Sequence, residues 1–77
     1  MAQQVSETFN RGNRILRRRE VEHLVGLSRS AIYRRIAEGH FPPPVPIGEG
    51  KAVGWLSGEI EDFVRHCIAA REQKAAQ

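Results

Sequence analysis

The stretch Val21-Glu22-His23-Leu24-Val25-Gly26-Leu27-Ser28-Arg29-Ser30-Ala31-Ile32-Tyr33-Arg34-Arg35-Ile36 decides the fold. Val21, Leu24 and Val25 recur at helical spacing and predict a helix from about Arg18 to Val25. Gly26 stops it, because glycine accepts the left-handed conformation in which many helices end. Leu27 plugs the gap between two helices. Ser28 caps the second one, since its hydroxyl can take a backbone N–H left without a helical partner. That second helix is expected from Arg29 to about Glu38, with Ile32 and Ile36 as its inward stripe and Gly39 at its end. Two short helices joined at Gly26-Leu27-Ser28 match a helix-turn-helix unit, whose tight turn often contains glycine.

Downstream the pattern changes. Phe41 leads into Pro42-Pro43-Pro44, a stiff extended run that cannot be helical. Val45 and Ile47 alternate with Pro46, Gly48-Glu49-Gly50-Lys51 reads as a turn, and Val53 and Trp55 alternate with Gly54 on the return. This predicts a hairpin over 45–55 with a loop of about five residues, Ile47 opposite Val53 and Val45 opposite Trp55. The prolines place its first strand at an edge. Ser57 then reads as an N-cap, with Glu59, Glu61 and Asp62 where a helix start favours negative charge. Ile60, Phe63, Val64, Cys67 and Ile68 form an amphipathic stripe, and the helix is expected to reach about Glu72. Upstream, Ile15-Leu16 is a short apolar lead-in. The order helix, tight turn, helix, hairpin, helix predicts a mainly α fold with one small β-hairpin, a winged helix-turn-helix. It divides the chain into a flexible N-terminal arm over 1–13, the domain over 14–72 and a frayed tail over 73–77.

Composition narrows the function. At 77 residues the chain holds one small domain, with a modest core and little room for an active-site cavity. One cysteine, Cys67, excludes an intrachain disulfide, and His23, His40 and His66 lack the spacing of a zinc motif. No segment approaches the roughly 18 consecutive apolar residues of a membrane span. The first residues lack a secretion signal's apolar stretch. A cytoplasmic, nucleoid-associated protein is expected, with no cofactor, no metal, no small-molecule substrate and no membrane partner. The net charge of +3 is unevenly spread. Residues 1–35 carry eight Arg against three Glu, whereas 36–77 are net negative by two. Arginine's planar fork suits phosphates and guanine edges, so a polyanion partner is the natural inference, with an ordinary solvated basic surface as the alternative on charge alone; joined to the helix-turn-helix, the expected partner is double-stranded DNA.

The second helix, viewed down its axis at about 100° per residue, sets Arg34 opposite Ile32 and Ile36, with Ser30 and Ala37 beside it and Arg29 and Tyr33 on one flank. Short hydroxyls and arginines on the outer face suit a helix lying close in a major groove, and its N-terminal turn normally meets base edges and phosphates. Arg29 and Arg34 are therefore candidates for base edges or adjacent phosphates, and Ser28 and Ser30 for phosphate or base. Tyr33 either sets its hydroxyl on a phosphate or is a half-buried flank residue. Lys51 at the wing tip offers a phosphate or minor-groove contact, or is a solvated turn lysine. Arg17-Arg18-Arg19 opens the first helix, where positive charge is electrostatically unfavourable; Arg18 and Arg19 are candidates for phosphates flanking the groove, or are simply exposed. Arg35 lies nearer the core and is expected to snorkel to solvent. Cys67, Trp55 and Phe63 are expected in the core. His66 and Cys67 are helix neighbours and do not face one another, so no nucleophile–base pair is indicated, and the chain is not expected to be an enzyme.

The linked blocks Val21-x-x-Leu24-x-Gly26-Leu27-Ser28-Arg29-Ser30-x-Ile32-Tyr33-Arg34, Gly39-x-Phe41-Pro42, Val45-x-Ile47-Gly48, Val53-Gly54-Trp55 and Glu59-Ile60 resemble the AlpA family of small phage- and prophage-associated regulators, over about residues 14–70. The resemblance implies a winged helix-turn-helix similar to that of the MerR regulators and phage excisionases, binding DNA through the second helix and the wing. It implies a role in transcription near integrated elements, or in excision alongside an integrase. Ser28, Arg29, Ser30, Tyr33 and Arg34 match the family's recognition segment. Lys51 stands where the family often has arginine, Ala31 where threonine is common and Arg35 where an apolar residue is common.

Three functions remain open to the sequence: a transcriptional regulator, an architectural excision factor that bends DNA and recruits a recombinase, and a protein-interaction module without DNA binding. One helix and one wing make a small footprint, so homo-oligomerisation on DNA is expected for tight binding.

Overall fold

A computed structural model of the protein describes residues 13–76; residues 1–12 of the arm expected over 1–13, and the last residue, lie outside them. The chain runs β1 (Ile15–Leu16), α1 (Arg18–Val25), α2 (Arg29–Ala37), β2 (Val45–Pro46), β3 (Val53–Leu56) and α3 (Ser57–Ala76). α1 ends as expected at Gly26, whose N–H donates to the Glu22 carbonyl at 2.8 Å. Ser28 caps α2, its Oγ accepting from the Ala31 N–H at 3.2 Å. α2 stops one residue short of the expected end, with Glu38 as its C-cap. The helices, the tight turn and the hairpin together make a winged helix-turn-helix.

The sheet holds more than the expected hairpin. β1 pairs antiparallel with β3, setting Ile15 against Leu56 and Leu16 against Trp55, so the strand order is β1-β3-β2. Two residues carry no period from which a strand could be predicted; Ile15-Leu16 becomes one because the open edge of β3 lies beside it. The hairpin register also differs from the expected one. Val45 faces Gly54 and Pro46 faces Val53, and the Ile47 N–H donates to the Ala52 carbonyl at 2.9 Å. The loop is thus 48–51, one residue shorter, and Val45 does not oppose Trp55 nor Ile47 oppose Val53. The cause is Gly54. A Cβ there would run into Ile15 Cγ2 and stand 2.9 Å from the Leu16 carbonyl oxygen and 3.1 Å from Ile47 Cδ1. The missing side chain is the space into which β1 and the wing fold.

The core comprises Leu16, Val21, Ile32, Phe41, Trp55 and Ile60, with Val25, Leu27, Ile36, Val53 and Phe63 packed against it. Trp55 is fully buried, and its indole N–H donates to the Pro42 carbonyl at 2.9 Å, so the proline run supplies the acceptor that a buried indole needs. Phe41 and Phe63 meet edge to face, 4.7 Å between ring centres.

α3 departs from expectation at both ends. Ser57 is its first residue, not its cap. Its N–H donates to the Arg14 carbonyl at 2.8 Å, and its Oγ accepts from the Arg14 N–H at 2.9 Å. The capping acceptor comes from across the fold: Asn13 Oδ1 takes the Gly58 N–H at 2.9 Å, so Asn13 belongs to the folded domain. At the other end the helix continues past Glu72 to Ala76, through residues that are good helix formers and include no breaker. Cys67, expected in the core, is exposed. Of the predicted stripe, Ile60 lies in the core and Phe63 packs against it, while Val64 is already partly exposed; by Cys67 the helix has run beyond what the short sheet and α1 can cover.

Replacing Gly54 by alanine forces the Leu16 backbone to move, because a carbonyl cannot swing aside as a side-chain tip can. Gly54→Ala is expected to destabilise the fold by about 1–3 kcal/mol, the usual cost of overpacking. Urea unfolding followed by Trp55 fluorescence measures it. A midpoint equal to that of the unmodified protein would refute the close approach of β1.

Candidate nucleic-acid interface

The outer face of α2 follows from its inner one. Ile32 is buried and Ile36 half-buried, which turns Arg29, Ser30, Tyr33 and Arg34 outward; all four are exposed. Ser28 is exposed too. Its oxygen caps the helix, and a hydroxyl that accepts there still carries its own O–H donor. Tyr33 is 38% exposed. Its ring meets that of Trp55 edge to face at 6.3 Å and 68°, and the Arg29 guanidinium lies 6.0 Å from its centre, within the range of a cation–π contact. Tyr33 is therefore a flank residue braced on the core that still presents part of its ring to solvent. Arg35 is half-buried, its Nε enclosed without a hydrogen-bond partner among the described residues.

Between the N-terminal ends of α1 and α2 and the returning limb of the wing lies a concavity of about 370 Å³, lined by Arg17, Arg18, Arg19, Arg29, Tyr33, Lys51, Ala52 and Val53. Five candidates named from the sequence, Arg18, Arg19, Arg29, Tyr33 and Lys51, meet here although they span 34 positions of chain. Ser28, Ser30 and Arg34 do not line it; they lie on the exposed face of α2. Arg17 joins the cluster without having been singled out from its two neighbours. It occupies the N-cap position of α1 with extended backbone angles, so its side chain departs before the helix begins. The available signal was its place directly ahead of the first helical residue.

The electrostatics of this surface are unbalanced. Arg18 pairs with Glu22, Nε to Oε2 3.0 Å, with both side chains about one-third exposed. Among the described residues no carboxylate pairs with Arg17, Arg19, Arg29, Arg34 or Lys51. Cations gathered without counter-charges repel one another and favour a polyanion at the same place. Also among the described residues, no group of three or more His, Cys, Asp or Glu side chains is arranged to hold a metal ion, and no helix is long and apolar enough to cross a membrane.

A winged helix-turn-helix with a basic cleft between its helix starts and its wing defines the class of this protein. Comparison with known proteins gives the family. The model of the family described as "Prophage CP4-57 regulatory protein (AlpA)" matches residues 14–68, and the chain belongs to that family. It is also 50% identical over 60 residues to "Uncharacterized protein ORF88" of Enterobacteria phage P4, an alignment covering 78% of this chain and 67% of that protein. No solved structure matches the chain.

The unequal pairing of the arginines yields a direct comparison. Arg17→Ala is expected to lower affinity for any duplex and to reduce the slope of log affinity against log salt by about one unit, as loss of one phosphate contact does. Arg18→Ala should change that slope less, because its guanidinium is already held by Glu22. Salt titrations of both variants decide the matter; equal slopes for the two would remove the distinction.

Proposed function

We propose that this protein is a DNA-binding transcriptional regulator of the phage, prophage or integrative-element type, acting in the cytoplasm on double-stranded DNA and without catalytic activity of its own. In this reading α2 lies in the major groove. Arg29 and Arg34 meet base edges or neighbouring phosphates, and Ser28 and Ser30 contact the groove wall from the first turn. The wing over 45–55 runs along the adjacent backbone with Lys51 at its tip. Arg17, Arg18, Arg19 and Lys51 hold phosphates on either side of the groove. The observation that carries the proposal is the convergence of Arg17, Arg19, Arg29 and Lys51, free of ion pairs among the described residues, on one concavity beside the exposed N-terminal turn of α2. Backbone contacts of this kind set register while side chains on the helix read sequence. Membership of a regulatory-protein family supports the same reading. Binding as a homo-oligomer and contact with an integrase belong to this proposal as extensions.

Fluorescence anisotropy with duplex from the gene's own neighbourhood, against scrambled duplex at several salt concentrations, tests it. Preferential and salt-dependent binding to the local duplex is expected, and footprinting then places the site at a promoter or at an attachment site. Folded protein that binds neither duplex would overturn the proposal in favour of a protein-interaction module.

Two substitutions separate the roles. Arg34→Ala should cost about 1–3 kcal/mol on the preferred site and relax discrimination there. Lys51→Ala should weaken all duplexes alike and flatten the salt slope by about one unit. Unchanged sequence preference in the first variant removes base reading by Arg34, and an unchanged salt slope in the second removes the phosphate role of Lys51.

A further inference from the structure

Two arginines of the cleft are held in place, and by different means. Arg18 is held by Glu22, Nε to Oε2 3.0 Å. That pairing occupies one of its donors and offsets its charge. Arg29 has no carboxylate partner among the described residues. Its guanidinium carbon lies over the Tyr33 ring, 6.0 Å from the ring centre. Arg29 and Tyr33 are four apart on α2, a spacing that sets two helical side chains side by side, and both line the cleft. An aromatic face attracts a cation through its quadrupole and takes no N–H in doing so. The guanidinium keeps its full charge and its five donors.

The ring is itself fixed. It meets Trp55 edge to face, 6.3 Å between ring centres and 68° between planes. Trp55 is fully buried, with its indole N–H on the Pro42 carbonyl at 2.9 Å. A continuous series of contacts thus runs from the proline run through Trp55 and Tyr33 to Arg29. The support matters because Arg29 shares the cleft with Arg17, Arg19 and Lys51, and like charges drive a long side chain towards open solvent. A freely rotating arginine also gives up rotamer freedom when it grips a ligand, and one held beforehand gives up less.

We propose that Tyr33 is a positioning residue for the duplex: its ring, anchored on Trp55, holds Arg29 in the cleft with every guanidinium N–H free for a phosphate or a base edge. In this role, which presupposes the DNA-binding reading above, the ring of Tyr33 acts and its hydroxyl does not. Arg34, on the same face of α2, is independent of it.

Fluorescence anisotropy on duplex from the gene's own neighbourhood tests the role. Tyr33→Leu should bind about 2- to 5-fold more weakly, the worth of an exposed cation–π contact, and Tyr33→Phe should bind as the unmodified protein does. A double-mutant cycle separates positioning from a general shift of α2. In an Arg29→Ala background Tyr33→Leu should cost nothing further; in an Arg34→Ala background it should cost the same factor as before. Phenylalanines bearing successively more ring fluorines at position 33 keep the shape of the side chain while draining its face of negative charge. Affinity should fall stepwise along that series, and this holds as a test even if Tyr33→Leu does not fold. A Tyr33→Phe variant as weak as Tyr33→Leu would assign the effect to the hydroxyl. A Tyr33→Leu loss that persists without Arg29, or constant affinity along the fluorinated series, would equally overturn the role while leaving DNA binding intact. Unmodified protein that binds neither the local nor a scrambled duplex would overturn the DNA-binding reading, and the role with it.

Discussion

Trp55 is the side chain on which the domain depends. Its backbone pairs with Leu16 in β1, its indole N–H is held by the Pro42 carbonyl, and its ring meets that of Tyr33 from α2 edge to face. A tryptophan buries roughly 150–250 Å², a large part of what so small a core can supply, and it does so here while touching β1, the proline run and the second helix. The wing cannot tilt without breaking the indole hydrogen bond. Nor can α2 turn without losing the Tyr33 contact. The relative placement of these two elements, on which any grip on a duplex would rest, is thereby set by one buried ring.

That placement has an electrostatic cost and an electrostatic use. With α2 and the wing locked, Arg29 and Lys51 stand across a cleft from the arginines that open α1. Glu22 offsets Arg18 and Glu20 offsets Arg14, both on or beside α1, while the cations around the cleft are otherwise uncompensated among the described residues. A fold selected for stability alone would intersperse the signs. Holding like charges together stores repulsion that a row of phosphates would relieve. Tyr33 links the core to this surface, since its ring is braced on Trp55 and lies 6.0 Å from the Arg29 guanidinium.

The start of α3 shows a second economy of the fold. Asn13 and Arg14 lie far from Gly58 and Ser57 in sequence, yet they satisfy the N–H groups that a helix start leaves open. The same short segment then becomes β1 and closes over Gly54. One stretch of four residues, 13–16, thus caps the last helix, completes the sheet and leads into the arginines of the cleft. The cost of this compact arrangement is that the sheet is short, and α3 outruns it.

The amino-acid sequence by itself determined the elements whose causes are local. The period of Val21, Leu24 and Val25, the stop at Gly26, the cap at Ser28 and the alternation around the wing turn each act over a few residues, and each is legible without the fold. The outward face of α2 was legible for the same reason, because the inward stripe of Ile32 and Ile36 leaves Ser30 and Arg34 only one direction. What acts across the chain was not. The pairing of Ile15-Leu16 with β3, the hairpin register, the cap from Asn13 and the exposure of Cys67 all depend on partners remote in sequence. The register was misplaced by one residue because alternation counts only side chains that are present, whereas Gly54 contributes by lacking one. The meeting of Arg17, Arg19, Arg29 and Lys51 in a single cleft was likewise decided by tertiary structure alone: a periodic pattern fixes which way a side chain points from its own helix, and only packing brings three helix and strand ends to the same place.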